Sequence, residues 1–277
     1  MIRNPLVSVL IHTRSSQRTI KNLLESIKNQ SYKKIEIIMV DNNSKDNTLK
    51  IAKFYTTKIF NFGPERSAQR NYAAKKAKGE YLLVPDSDMI LGKNVVKECV
   101  DLILEKPRIK AIIVPEKSIG SSFWAKCKQL ERSYYPGIDW IEGARFFQKK
   151  AFDEIGGYDE RNTGTEDFDL PQRFRRKYKD ESIGRIKELI YHDEGDLSLF
   201  YLLKKKFYYA HSISVYKKSN LADYYKQVDV FKRLILFFSK PDKLFADPIV
   251  GTGMIFMKTL EFAVGGIGFA VSRNNKT

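Results

Sequence analysis

Asp86 and Asp88 stand two residues apart in the stretch GEYLLVPDSDMIL, residues 79–91, where an apolar run stops at Pro85 and two carboxylates flank Ser87. In an extended chain, residues i and i+2 point to the same side, so both carboxylates can address one ligand while Ser87 points away. Paired hard oxygen donors suit Mg2+ or Mn2+, and Mg2+ commonly binds through one or two carboxylates with substrate phosphates completing its shell. The competing reading of an isolated D-x-D is a solvated turn with an aspartate capping the next segment.

Which reading holds depends on the elements around the pair. LVSVLI reads as a buried strand, and SSQRTIKNLLESIKNQ places Ile20, Leu23, Leu24 and Ile27 at helical spacing with Ser15 or Ser16 as the cap. KIEIIMV is a second strand ending in Asp41, DNTLKIAKFY a helix and KIFNF a short strand; Pro64 can open the helix PERSAQRNYAAKKAK. EYLLV, NVVKECVDLILEK and KAIIVPE continue the alternation as strand, helix and strand. Nearly continuous apolar strands between amphipathic helices indicate an α/β domain with a mainly parallel sheet covered on both faces. Ligands of such sheets gather at the carboxyl ends of strands. His12-Thr13-Arg14, Asp41-Asn42-Asn43-Ser44 and Asp86-Ser87-Asp88 are therefore expected to face one crevice.

Beyond about Ile119 the pattern becomes a strand, a short helix, a turn at Gly156-Gly157 and a helix beginning near Glu166. After about Leu197 the chain turns aromatic and basic, then nearly apolar, with no internal repeat.

The composition of the 277 residues, 43% hydrophobic and 13% aromatic, suffices for a substantial core. With 49 Lys+Arg against 33 Asp+Glu the formal charge is +16, which favours an anionic partner: nucleic acid, lipid head groups or a phosphorylated small molecule. Cys99 and Cys127 lie far apart with no metal-ligand spacing, so neither a zinc site nor a disulfide framework is expected, and a reducing interior is the natural compartment. The N-terminus has Arg3 before an apolar run, but Leu6 to Ile11 is too short for a signal peptide and no cleavage site follows.

Taken in order, VSVLIHTRSSQRTIKNLLESIKNQSYKKIEIIMVDNNSKDNT, RSAQRNYAAKKAKGEYLLVPDSDMIL, GARFFQKKAFDEIGGYDE and GTEDFDLPQRFRRK resemble family 2 glycosyltransferases of the GT-A fold over roughly residues 6–195. The resemblance implies a Rossmann-like, mainly parallel sheet flanked by helices and an inverting transferase that uses a nucleotide-sugar donor with Mn2+ or Mg2+. It implies nucleotide contacts at Thr13, Arg14, Asp41, Arg70 and Asp86, and metal contacts at Asp88, Asp86 and His192, with Asp88 the more direct ligand. It implies that Asp167, with Glu166 beside it, is the catalytic base. Asn42-Asn43 departs from the family pattern, where many members carry another acidic residue after Asp41. Outside that context, Glu166-Asp167 reads as the acidic first turn of a helix, Arg70 as a solvated helix residue, Asp41 as a cap and His192 as structural.

The expected domains are a catalytic domain over 1–195 and a helical extension over 196–277 in contact with a membrane. LLKKKFYYAHSISVYKK interleaves Lys204, Lys205, Lys206, Lys217 and Lys218 with Phe207, Tyr208, Tyr209 and Tyr216, a mixture suited to a lipid head-group interface and also to RNA. QVDVFKRLILFFSK is an amphipathic candidate, and residues 248–271 read as an apolar hairpin or shallow helix with Lys258 and Glu261 paired. That segment can lie on or re-enter a membrane, span it, or form ordinary core or dimer helices. The expectation is a peripheral or monotopic enzyme at the cytoplasmic membrane face whose acceptor is a lipid-linked saccharide or polyprenyl phosphate. Two rivals fare worse. A nucleotidyltransferase needs a Gly-rich loop after the first strand, which IHTRSSQRT lacks, and a nucleic-acid-binding protein leaves the paired carboxylates unexplained.

Overall fold

The computed structural model describes residues 4–210, 213–219 and 221–274; Arg3 lies outside the described residues. The chain begins β1 (Val7–Thr13), α1 (Ile20–Lys28), β2 (Ile35–Asp41), α2 (Thr48–Ala52), β3 (Ile59–Asn61), α3 (Arg66–Lys76) and β4 (Tyr81–Leu83). It continues with β5 (Met89–Leu91), α4 (Val95–Glu105), β6 (Ala111–Ile113), β7 (Glu116–Ile119), α5 (Phe123–Arg132), β8 (Phe146–Gln148), α6 (Lys149–Ile155) and α7 (Glu166–Tyr178). β9 (Ile183–Arg185) and β10 (Ile190–Asp193) precede α8 (Leu199–Ala210), α9 (Ile213–Ser219), α10 (Leu221–Val228), α11 (Val230–Phe238), α12 (Pro241–Leu244) and α13 (Pro248–Asn274).

Two compact units share the chain. The first comprises residues 1–116, 143–160 and 170–192; the second comprises 117–142, 161–169 and 193–277. The units therefore interleave. The last segment of the second begins at Asp193, and that unit also takes in two earlier segments.

The first unit is built on a seven-stranded sheet in the order β3-β2-β1-β4-β8-β6-β9. β1 is parallel to β2 and β4, β2 to β3, and β6 to β9, while β8 runs antiparallel between β4 and β6. Both faces are buried, as the apolar strands require. Val7, Val9 and Ile11 pack with Leu23, Leu24, Val96 and Val100, and Leu10, Ile38 and Val40 pack on the other face with Ala73, Phe152 and Phe174. That alternation along β1 is the period-two pleat of a strand covered on both sides.

Several local details differ from expectation. α1 starts at Ile20 with Thr19 at its N-cap and no side-chain cap; the Ser16 carbonyl accepts from the Thr19 and Ile20 N–H groups instead. Pro64 precedes α3 rather than opening it, since Glu65 is the N-cap. Within α7, Pro171 provides no N–H for the Asp167 carbonyl. Gly156 and Gly157 do form the turn, with φ of 85° and 67°, and Gly156 ends α6 in the left-handed conformation that a Cβ disfavours.

The second unit is helical where the tail was expected to be, with a core of Cys127, Tyr134, Leu202, Phe237, Leu244, Met254 and Met257. Asp229 separates α10 from α11 and caps α11 by accepting from the Lys232 N–H at 2.9 Å. Residues 248–271 belong to one continuous helix, α13, and do not form a hairpin. Its Lys258 and Glu261 are paired at 2.7 Å, as expected, but both are buried.

Candidate active site

The site in the first unit lies where β1, β2 and β4 end. β1 and β2 finish level, with Thr13 opposite Asp41, and β3 finishes beside them with Asn61 opposite Asp41. Gln69 of α3 fixes this edge by donating to the Val40 and Thr13 carbonyls at 2.8 and 3.2 Å. Asp41, only 2% exposed, accepts from the backbone N–H of Ser44 at 2.8 Å and from its hydroxyl. Ser44 Oγ in turn accepts from the Ser15 N–H at 2.7 Å, so the loops after β1 and β2 are tied together. A cleft of about 240 Å³ opens here, lined by Asp41, Asn43, Ser44, Lys45, Phe60 and Asn61 among others. Thr13 Oγ1 is buried and makes no hydrogen bond within the described residues. A buried orphan hydroxyl of this kind calls for a partner. Arg14, the next residue, is exposed.

Asp86 and Asp88 do not lie in an extended segment, which corrects the basis on which both were expected to face one ligand. The Met89 N–H bonds to the Asp86 carbonyl at 3.1 Å, closing a tight turn, and the side chains diverge to different partners. Asp86 accepts from Arg70 Nη2 at 2.6 Å and from Arg145 Nη2 at 3.1 Å, one guanidinium on each oxygen, and His12 Nε2 is 3.4 Å from Oδ1. Asp88 lies 3.2 Å from His192 Nε2. Ser87 is 2.9 Å from Ser16 Oγ in the loop after β1. Burial opposes ionisation of Asp86, yet Arg145 and Arg70, with His12 and Arg66 nearby, hold its carboxyl well below the usual carboxylate range.

The arginines are themselves positioned. Arg70, on α3, is 1% exposed; it sits over the Tyr158 ring at 5.0 Å and donates through Nε to His12 Nδ1 at 3.3 Å. With Nδ1 toward Arg70, the His12 ring turns its Nε2 toward Asp86. The Gly156-Gly157 turn delivers Tyr158, whose N–H donates to Asn71 Oδ1 at 2.9 Å. Arg145 reaches the same edge because β8 is reversed: its start, Phe146, pairs with Leu83 at the end of β4. Arg145 Nε donates to Glu116 Oε1 at 2.9 Å, and Glu116 Oε2 lies 3.8 Å from His192 Nδ1. β10 pairs antiparallel with β5, setting His192 opposite Met89 and hence beside Asp88.

Of the residues expected to meet the nucleotide or metal, the structure brings Arg70 and Asp86 into one cluster and Asp88 and His192 into contact. Thr13, Arg14 and Asp41 stand along the adjoining strand ends. His12, Arg145 and Glu116 complete the cluster without having been assigned roles. Glu166 and Asp167 belong to the second unit, in the first turn of α7. Glu166 is buried and accepts from the Gly164 N–H at 2.6 Å, whereas Asp167 is half-buried.

As a metal site the donor set fits in part. Two ligands on adjacent positions around one ion at about 2.1 Å stand about 3 Å apart, and Asp88 and His192 are at that spacing. Asp86 does not fit as it stands, since each oxygen already carries a guanidinium. Among the described residues no cluster of three or more His, Cys, Asp or Glu closes around a point. Asp88 and His192 could hold a metal ion only as two donors of a larger coordination shell.

The family described as Glycosyl transferase family 2 matches residues 8–159. An uncharacterized glycosyltransferase of Rickettsia typhi is 31% identical over 190 residues, 62% of this chain and 59% of that protein. The poly(ribitol-phosphate) beta-N-acetylglucosaminyltransferase TarS of Staphylococcus aureus is 34% identical over 109 residues, 35% of this chain and 19% of its own length. The matched stretches thus span less than two thirds of either relative. The crystal structure of TarS 1-349 superposes with a TM-score of 0.56 at 16% identity, covering 98% of this chain and 92% of that one. That fragment has also been solved with UDP and with UDP-GlcNAc. The mannosyltransferase PcManGT of Pyrobaculum calidifontis, in complex with GDP-Man and Mn2+, gives a TM-score of 0.64 at 13% identity over 97% of this chain and 88% of its own. These likenesses establish the GT-A fold, and together with the match over 8–159 they lead to one conclusion: the chain belongs to family 2 of the glycosyltransferases.

Proposed function

We propose that the protein is an inverting glycosyltransferase, transferring a sugar from a nucleoside-diphosphate sugar to an acceptor hydroxyl by direct displacement. The observation that carries this is the cluster at the ends of β1 and β4: two buried arginines on Asp86, with Asp88 against His192. The cleft lined by Asp41 would take the nucleoside, with the buried Thr13 hydroxyl, opposite Asp41 in the sheet, and the exposed Arg14 after it as further contacts. That TarS binds UDP and UDP-GlcNAc and PcManGT binds GDP-Man supports a donor of this class.

Asp88 and His192 would hold Mn2+ or Mg2+, which when bound neutralises the charge that develops on the leaving diphosphate. Asp86 serves the site differently, by holding Arg70 and Arg145 at fixed positions; preorganised cations cost no reorganisation as charge develops. Glu116 holds Arg145 and faces the far nitrogen of His192, an arrangement that orients a ligating imidazole. Asp167 takes the proton from the acceptor hydroxyl as its oxygen attacks the anomeric carbon and the bond to the diphosphate breaks. The half-buried position of Asp167 suits this role better than that of Glu166, whose carboxylate is turned back onto the Gly164 N–H. The acceptor we propose is a lipid-linked saccharide or polyprenyl phosphate, met at the cytoplasmic membrane face. The basic chain supports it, as does α13, the one helix among the described residues that is long and apolar enough to cross a membrane.

The test is a thermal-shift panel of UDP-, GDP- and other nucleotide sugars, each with and without Mn2+ or Mg2+. One nucleotide class is expected to raise Tm in the presence of metal. No response to any nucleotide overturns the reading.

A further inference from the structure

We propose that the outer side of α13, together with the exposed side of α8, forms a surface of the second unit that lies on an anionic lipid bilayer without crossing it. This rests on the reading that the enzyme works at a membrane face, and it names the part of the chain that makes the contact.

Over Pro248–Val271 the helix carries two charged residues, Lys258 and Glu261, and both face inward. Lys258 Nζ lies 2.6 Å from Glu131 Oε1 and 2.7 Å from Glu261 Oε2. Lys128 Nζ lies 2.7 Å from Glu131 Oε2 and 3.2 Å from Glu261 Oε1, and Lys206 of α8 lies 3.6 Å from Glu261. The outward positions recur at intervals of three and four: Ile249, Thr252, Phe256, Thr259, Ala263, Ile267. None is charged, and Ile249, Phe256 and Ile267 are 74%, 53% and 58% exposed. The inner side of the helix also buries Met254 and Met257, as a surface helix of a water-soluble protein would, but such a helix turns its charges outward.

The buried charges explain how the helix is held in this orientation. Rotating α13 to bring its outer apolar side inward would strip Lys258 and Glu261 from α5 and α8 and leave Lys128 and Glu131 with only each other, breaking the buried contacts Lys258–Glu131 and Lys128–Glu261, which is strongly unfavourable. The same network argues against a span. A helix leaving the unit to cross a bilayer would carry an ion pair into hydrocarbon, although about 36 Å of helix is long enough by length alone.

Charge selects lipid over a second copy of the chain. Two chains of formal charge +16 repel, whereas an anionic head-group layer attracts them. α8, which packs on α13, presents Phe200, Tyr201, Lys204, Lys205 and Tyr208 outward at i, i+4 and i+8 spacing. Aromatic rings alternating with lysines match the boundary between acyl chains and head groups.

The full chain should co-float at low salt with vesicles of phosphatidylcholine and phosphatidylglycerol, and about tenfold or more less with pure phosphatidylcholine. Phe256→Asp with Ile267→Asp should lower partitioning about tenfold or more while the nucleotide-induced rise in Tm is unchanged. The fluorescence of Phe256→Trp should be quenched more by lipids brominated near the head group than near the chain end. Failure to float, flotation indifferent to the aspartates, stronger quenching from the chain end, or a dimer in sedimentation that the aspartates dissociate would each overturn the proposal. Flotation without nucleotide binding would sink the donor reading alone, and nucleotide binding without flotation would sink the membrane contact and leave the donor reading standing.

Discussion

Arg70 places Nη2 2.6 Å from Asp86 Oδ1 while its guanidinium lies over the ring of Tyr158, and the arginine is 1% exposed. Asp86 is therefore the counter-charge of a buried cation. Asp88, two residues on, has a side chain 38% exposed against 20% for Asp86 and contacts His192 instead. The two aspartates of one short motif have different tasks, and substitutions should separate them.

Asp86→Asn leaves Arg70 and Arg145 without their carboxylate, and breaking such a pair should cost about 3 kcal/mol. Asp88→Asn should change stability by less than about 1 kcal/mol. Urea unfolding of both variants measures the difference; equal losses would contradict the division.

Glu116→Gln keeps the shape of the side chain but weakens its hold on Arg145 and its charge beside His192. Loss of such an outer partner typically lowers metal affinity by about 10- to 100-fold. Calorimetric titration of Mn2+ in the presence of a nucleoside diphosphate should show that loss, with Tm nearly constant. Unchanged affinity would remove Glu116 from the account.

Asp167→Asn should bind donor normally and lose transfer by about 10²- to 10⁴-fold, the usual contribution of a positioned base. Glu166→Gln should instead weaken the acceptor for the Gly164 N–H and show chiefly as reduced stability. Transfer surviving in Asp167→Asn would assign the base elsewhere.

The second unit should be sensitive to acid. Burial opposes ionisation of Glu261, but Lys128, Lys206 and Lys258 pull its carboxyl down to about 2; Glu131 is likewise held well below its usual range by Lys128 and Lys258. A carboxyl depressed in the folded state contributes stability that is full above its unfolded value of 4.5 and lost as pH falls toward 2. The protein has two tryptophans, Trp124 and Trp140, and both lie in this unit. Their fluorescence should report unfolding as pH falls through that window, and Glu261→Gln should weaken the dependence; a flat signal down to pH 2 would contradict it.

Much of this was legible in the sequence because parallel strands advertise themselves. Continuous apolar runs located β1, β2, β4 and β6, and the strand-end rule then pointed to Thr13, Asp41 and the aspartate pair. The rule is less informative where a strand is reversed. Arg145 precedes β8, and it reaches the site because β8 runs antiparallel between β4 and β6, a pairing that composition does not reveal. Glu116 follows β6 at the expected edge, but nothing local distinguishes it from a solvated glutamate. The divergence of Asp86 and Asp88 was hidden for a related reason: period-two alternation applies only in extended chain, and the segment turns at Asp86. In the tail, apolar composition marked 248–271, but the burial of Lys258 and Glu261 depends on charges over a hundred residues away, in α5.

The central claim is that Asp88 and His192 hold a divalent ion that a nucleoside diphosphate completes. Titration of Mn2+ followed by its electron paramagnetic resonance signal, with and without the nucleoside diphosphate identified by thermal shift, tests it most directly. The account predicts tight uptake of one Mn2+ only with nucleotide present, abolished in Asp88→Ala and sharply weakened in His192→Ala. Unaltered uptake in Asp88→Ala, or none in the wild type, would contradict it.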